Sequence, residues 1–375
     1  MERTKLVEWK ITQRDGRLYY NPLLNITEAL IQNPWESCHA SDLLELQNGD
    51  LLCCWFAGST EGNGDISIAM SRLPAGKSTW TMPIMVTDDV NCSEQNPSLF
   101  LAPNGEIWMI YTAQQAKQPK DQSKFNLQYT AEIRRKRSKD NGNTWGDTEV
   151  MFHGPGTFCR QKIQVLSNGR WIFGTWICFA DDTRNGSDIP VIWISDDQGS
   201  SWRSIDIPES KGRVHGNIIE NEPGKLVVFF RSRFADYIYL SKSDDNGETW
   251  SVPVRTELPN NNSSISAIKL KSGSIGIIYN PVHFNEDVSK VVWPRQRCPI
   301  AIAISKDGGE SFPWQRIVEM GEGFTGSIND CNNLRYEYPV MIQGKDSRMH
   351  AAYSWGTRRN IKYICLDESW VCGGK

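Results

Sequence analysis

The run Ser243-Asp244-Asp245-Asn246-Gly247-Glu248-Thr249-Trp250 decides the fold, because the chain repeats it. Its pattern is Ser-x-Asp-x-Gly-x-Thr-Trp. Residues 138–145 read SKDNGNTW, residues 195–202 read SDDQGSSW, and residues 305–312 read SKDGGESF, with Phe312 in place of Trp. A worn copy runs from Ser71 to Trp80 and keeps only Ser, Gly and Trp. Asp and Asn side chains bond nearby backbone N–H groups and hold a tight turn, while Gly accepts backbone angles that other residues resist. The closing aromatic pins the turn from below. Strand-like flanks (VIWI before Ser195, AIAI before Ser305) make each copy the turn of a hairpin. Four good copies mean a repeat architecture.

A second repeat lies between the boxed turns. It reads CHASDLLELQNGDLLCCWFAG (38–58), QNPSLFLAPNGEIWMIYTA (95–113), CRQKIQVLSNGRWIFGTW (159–176), VHGNIIENEPGKLVVFFRS (214–232), SSISAIKLKSGSIGIIYNP (263–281) and YEYPVMIQGKDSRMHAAYSWG (336–356). Each is strand, short turn, strand. One such hairpin plus one boxed hairpin makes a four-stranded blade, and six units fill the chain. The expected fold is all-β: a six-bladed β-propeller with residues 1–375 as one domain. NIKYICLDESWVCGG at the C-terminus supplies strands of the last blade, and LVEWKI (6–11) at the N-terminus is the candidate for closing the ring.

Composition narrows the function. Charged residues make up 23% and the net charge is -3, so nothing indicates a nucleic-acid surface. No apolar run reaches the roughly 18 residues of a membrane span or the pattern of a signal peptide, so a cytoplasmic location is expected, or a secreted one if a leader was removed. The 10 Cys are scattered without a C-x-x-C pair, which argues for reduced thiols and against zinc. Neither a cofactor nor a metal is expected, and the oligomeric state is not readable.

Propeller geometry locates the chemistry. The boxes join third and fourth strands on one face, so the site belongs on the other face, where first strands start and second strands end. Aligning the hairpins on their turn glycines brings there His39, Gln95, Asn96, Arg160, Lys162, His215, Asn217, Glu337 and Tyr338 from first strands. Second strands and the loops after them add Glu61, Asp65, Trp176, Arg231, Arg233, Tyr279, Trp355 and Arg358. Arg side chains offer bidentate contacts to a carboxylate, and aromatics stack on sugar faces. Imidazoles at 39 and 215 suit proton transfer near neutrality.

The boxed turns, the six hairpins and the closing YEYPVMIQ…AAYSWGTRRNIKYI resemble the sialidase superfamily, in particular its bacterial and fungal BNR-repeat branch, over nearly the whole chain. In that family the boxed turns are called Asp-boxes. The resemblance implies a Tyr nucleophile paired with a Glu, an Asp acid/base and three Arg on a substrate carboxylate. Tyr338 resembles the Tyr, Asp65 the Asp, and Arg231 or Arg233 in FFRSRF the second Arg. The chain departs from the family where Ser37-Cys38-His39-Ala40-Ser41 replaces an Arg-Ile-Pro stretch. It departs again where blade five opens on Ser263-Ser264, leaving Arg297 as the substitute for the third Arg. The expected function is a glycosidase acting on a glycan with an acidic sugar, with Glu337 or Glu220 as partner of Tyr338. Glu337 is adjacent to Tyr338, and neighbours on a regular strand point to opposite faces. Two alternatives stay open: a lyase that eliminates at a uronic acid with His39, His215 and Tyr338, and a carbohydrate-binding propeller without catalysis.

Overall fold

The computed structural model describes residues 14–117, 127–154, 156–180, 187–284, 290–294, 296–320 and 335–373. It is a six-bladed β-propeller, each blade an antiparallel sheet. Blade one comprises Ser37–Glu45, Leu51–Gly58, Ser67–Leu73 and Ile84–Met85. Blade two comprises Cys92–Leu101, Ile107–Gln115, Glu132–Ser138 and Glu149–Phe152. The first strand of blade three is split into Thr157–Cys159 and Gln164–Val165, followed by Trp171–Ile177, Ile189–Ser195 and Arg203–Asp206. Blade four holds Arg213–Glu222, Lys225–Ser232, Tyr237–Ser243 and Val254–Pro259. Blade five holds Ser266–Lys269, Ile275–Tyr279, Ile300–Ser305 and Trp314–Glu319.

Blade six closes the ring with strands from both ends of the chain. Glu337–Gln343, Met349–Trp355 and Asn360–Leu366 are followed in the sheet by Ile26–Ile31 and Tyr19–Asn21. The closing strand is therefore ITEALI; the expected LVEWKI lies outside the described residues. The C-terminal segment contributes one strand and then the short helix Glu368–Val371. A buried charge cluster fixes the closure: Lys362 Nζ lies 3.2 Å from Glu28 on the closing strand and also pairs with Glu319 of blade five.

The boxes form by the expected local chemistry. In the second blade, Ser138 Oγ accepts from Gly142 N at 2.8 Å, while Asp140 accepts from Thr144 N and Thr144 Oγ1 at 2.9 and 2.6 Å. Two consecutive residues adopt positive φ in each turn, as at Asn246 (58°) and Gly247 (86°), which suits Asn-Gly. Each box also leans on the blade before it. A Cβ at Gly142 would lie 3.1 Å from Leu52 of blade one, and one at Gly247 would lie 2.6 Å from Ile172 of blade three. The apolar core lies between blades, where second and third strands of neighbouring sheets face each other.

Candidate functional site

The first strands are not regular where they enter the axis. Their pairing slips between His39 and Asp42, Gln95 and Ser98, Val214 and Asn217, and Glu337 and Val340. One non-glycine residue in each bulge has positive φ: Ala40 (57°), Asn96 (51°), His215 (57°) and Tyr338 (51°). A bulge re-aims side chains, and at Tyr338 it cancels the alternation expected of neighbours. Glu337 and Tyr338 consequently share surroundings. Glu337 lies 2.6 Å from Arg297 and 3.5 Å from His39, and the Tyr338 ring stands 4.2 Å from the His39 ring and under the Arg297 guanidinium.

Tyr338 is the centre of this mouth. Its hydroxyl accepts a 2.6 Å hydrogen bond from Arg231 Nη1. Arg231 comes from the end of the second strand of blade four; its Nε donates to Asn262 at 2.8 Å, and its Nη2 is buried without a hydrogen-bond partner. Burial pushes the Tyr338 phenol up, but the cations Arg231 and Arg297 outweigh it and leave the phenol below its ordinary range. Burial pushes Arg231 down to about 9.

Glu337 is fully buried and anchors a ring of guanidiniums. Its Oε2 pairs with Arg297 at 2.6 Å and Arg358 at 3.2 Å, and its Oε1 lies 2.6 Å from Arg335. Burial raises this carboxyl, yet Arg358, Arg297, His39 and Arg335 together hold it well below the usual carboxylate range. Arg358 is gripped from the other side by Glu61 at 2.6 Å; burial lowers its pKa, but Glu337 and then Glu61 outweigh it and raise it. Among the described residues, the carboxylates set against Arg231, Arg297, Arg335 and Arg358 are Glu337 and Glu61. The surplus among the described residues is positive, which suits an anionic ligand and opposes a metal cation.

Both imidazoles are neutral. Burial first, and then Arg358 for His39 and Arg231 for His215, hold them well below the ordinary histidine range. His39 Nδ1 bonds Ser354 Oγ at 2.8 Å. His215 stacks on Trp176, its Nδ1 lies 2.9 Å from Ser264 Oγ, and its Nε2 accepts from Arg231 Nη1 at 3.2 Å. With that lone pair engaged, His215 positions Arg231 and is not a free base.

Several expected site residues have other roles. Lys162 bonds Asp42 at 2.5 Å and the carbonyls of Leu43 and Leu99, a clamp along the axis. Arg160 donates to the carbonyls of Ser41 and Tyr338 and braces the bulges from beneath. Arg233 pairs with Asp188 at 2.6 Å. Asn217 bonds the His215 carbonyl and the Ala267 N–H, and Gln95 bonds Ser93. The backbone carbonyl of Asn96 accepts from Cys159 Sγ, a contact that does not engage the Asn96 side chain. Tyr279 is buried in the core shared by blades four and five with its hydroxyl on Gln315, and Trp355 is core between blades five and six. These two corrections share a cause: turn alignment fixes height along a strand but not which face a side chain takes. Glu220 caps Ser167 and Gly224 on the box face, which removes it as partner of Tyr338. Asp65 is exposed in the loop after the second strand of blade one and accepts from Ser59 N and Oγ at 2.9 and 2.8 Å.

Arg335 and Trp293 also stand beside this site. Arg335 is within reach of a sequence reading, because it stands two residues before Glu337 and i, i+2 residues share a strand face. Trp293, with its ring 5.7 Å from the Arg231 guanidinium, lies in residues 290–294, outside any strand, and carries no sequence pattern. Among the described residues, no helix is long and apolar enough to cross a membrane, and the nine cysteines are free thiols.

Residues 49–351 match the family model described as a BNR repeat-like domain. No curated protein sequence matches the chain. Among solved structures, a Hadza microbial sialidase superposes with a TM-score of 0.70 at 16% identity, covering 90% of this chain and 67% of its own. The intramolecular trans-sialidase of Ruminococcus gnavus, solved with oseltamivir carboxylate, gives 0.67 at 14% identity, with 90% and 96% covered. A Dyadobacter fermentans protein of unknown function gives 0.69 at 16% identity, with 91% and 97% covered. At such identities the likeness speaks for the fold, and together with the family match it places this chain in the sialidase-like BNR-repeat superfamily.

Proposed function

We propose that this chain is a glycosidase that acts on a glycan bearing an acidic sugar, with Tyr338 as nucleophile. The observation that carries this reading is the 2.6 Å contact from Arg231 Nη1 to the Tyr338 hydroxyl inside a mouth rich in guanidiniums. A phenol is a poor nucleophile at its free pKa; a lowered pKa activates it. Here the activating partner is a cation that stabilises the phenolate, where the family uses a carboxylate. The unpartnered Nη2 of Arg231 is the natural contact for the ligand's anionic group, on the same guanidinium that holds the nucleophile. That arrangement favours a substrate whose acid group is close to the reacting carbon. Asp65, at the rim, is the proposed general acid/base.

One observation favours elimination at a uronic acid as the second reading: a phenol of lowered pKa beside a guanidinium also suits abstraction of a proton next to a carboxylate. Both are tested by incubating the protein with a panel of acidic oligosaccharides and following reducing ends and unsaturated products together. Hydrolysis gives the first without the second, and Tyr338→Phe lowers kcat at least ~10³-fold. Unsaturated product, or full hydrolytic rate in Tyr338→Phe, sinks the nucleophile assignment.

A further inference from the structure

On the box face of blade six, away from the mouth, three side chains of metal-ligand type meet. Asp346 belongs to the turn between the first two strands, His350 to the second strand and Cys365 to the third. His350 and Cys365 are directly opposite in the ladder, so their side chains leave the same side of the sheet. One donor atom from each of the three residues lies within 4.8 Å of the others. His350 and Cys365 are buried and Asp346 is exposed, which leaves the cluster open to solvent on the Asp346 side.

The surroundings of His350 are those of a ligating imidazole. Its Nδ1 lies 2.6 Å from the Tyr363 hydroxyl, the orienting contact that metal-bound histidines make through their second nitrogen. Its Nε2 lies 3.3 Å from Asp346 Oδ1. A charge-assisted hydrogen bond closes to about 2.7–2.9 Å, so this spacing is long for one. It does match two ligands of a tetrahedral ion: bonds of about 2.0–2.1 Å put their outer atoms roughly 3.3–3.4 Å apart.

Gly344 supplies an independent observation. Its φ lies outside the left-handed region, so the backbone does not require glycine there. A Cβ at 344 would nevertheless fall 2.5 Å from His350 Nε2 and 2.7 Å from Asp346 Oδ1. The missing methyl keeps open the space between the two donor atoms.

We propose that Asp346, His350 and Cys365 bind one divalent cation of the zinc class, with water as the fourth ligand. Sulfur and imidazole select zinc or cobalt over calcium and magnesium. On binding, the Cys365 thiol releases its proton to solvent, and the sulfur draws in by about 1 Å to complete the tetrahedron. The ion would tie a turn to two strands in the blade whose third strand runs into the helix Glu368–Val371 and not into a box. The ligands fall in a D-x-x-x-H run and a distant Cys, which is why cysteine spacing gave no sign of them.

The test is titration of the chelator-stripped full chain with Co²⁺ and then Zn²⁺. One equivalent of Co²⁺ should give a thiolate-to-cobalt charge-transfer band and the visible bands of tetrahedral cobalt, both displaced by Zn²⁺. The charge-transfer band should vanish in Cys365→Ser. Affinity should fall about 10–100-fold in Tyr363→Phe, which removes the orienting contact to His350 and the phenol's hydrogen bond to Cys365 but no ligand, and at least as far in Gly344→Ala, which also removes no ligand. Asp346→Asn, at an exposed position, should weaken binding in a folded protein and carries the test if a buried variant does not fold. Absence of the charge-transfer band in the unmutated chain overturns the proposal. So does cobalt affinity unchanged in both Gly344→Ala and Asp346→Asn, since the ion would then be adventitious.

Discussion

Glu337→Gln is the most informative perturbation of the mouth. The amide keeps the shape of the side chain and removes its charge. Three guanidiniums then lose a shared counter-ion. Arg358 keeps Glu61 at 2.6 Å, and Arg335 is part-exposed and can turn to water. Arg297 is buried, and its other bond runs 3.5 Å to the Asn262 carbonyl, so it bears most of the loss. Removing one partner of a buried ion pair costs about 3–5 kcal/mol. With an unfolding entropy of about 2.1 cal/mol/K per residue, a chain of 375 residues loses roughly 0.8 kcal/mol for each degree, so Tm should fall by about 4–6 °C. Urea unfolding at pH 7, followed by Trp fluorescence, measures the free energy, and scanning calorimetry measures the shift. Glu337→Ala adds a second signature. Its vacated carboxylate position should accept formate, which should stabilise this variant more than the unmutated protein. A loss below about 1 kcal/mol in Glu337→Gln would refute the view that this carboxylate holds the guanidinium ring together.

Three further expectations concern the scaffold. Gly247→Ala should cost about 2–3 kcal/mol, because φ is +86° and the new methyl would meet Ile172 at 2.6 Å. Gly273→Ala, at +88° with nothing within 4 Å, should cost only about 1 kcal/mol; equal losses in urea melts would remove the box from inter-blade packing. His39 and His215 are held neutral, so the unfolded chain binds protons that the folded one does not. Stability should therefore fall as pH drops below 6.5, by up to about 1.4 kcal/mol per pH unit for each ring, and a flat profile between pH 6.5 and 5 would show that they protonate in place. The box aspartates work in a lower window: Asp140, Asp197 and Asp307 are held at about 2, so their stabilisation is present above the ordinary 3.8 and disappears as pH falls through 2, which an acid titration of the far-UV CD would show.

The scaffold was legible in the sequence because its signals are local and repeated. A box makes its own hydrogen bonds within seven residues, so Ser138, Asp140, Gly142 and Thr144 can be read without a partner strand. The mouth was legible only in part. Tyr338, Arg231 and Arg358 stand out by their position in the hairpins. The Tyr338 bulge does not, because a tyrosine at positive φ carries no composition signal. Without the bulge, Glu337 reads as pointing away, although its carboxylate is the hub of the Arg cluster. Lys162 and Arg160 read as ligand contacts because a cation at a strand start looks the same whether it faces solvent or a carbonyl across the axis. Ring closure is set by pairing in the same way: ITEALI and LVEWKI are both strand-like in sequence, and the pairing of Thr27 with Cys365 makes ITEALI the closing strand.

The left-handed kink at the head of the first strands has a consequence for how such a protein can change. Positions 40, 96, 215 and 338 share one backbone geometry yet carry Ala, Asn, His and Tyr. The kink is thus a standard socket, and the ring offers it at four stations around a single axis. Exchanging the side chain in one socket alters the chemistry at the axis without moving a strand, so new reactivity can be installed station by station. A second imidazole or phenol grafted at position 40 or 96 would start from a backbone already bent to receive it.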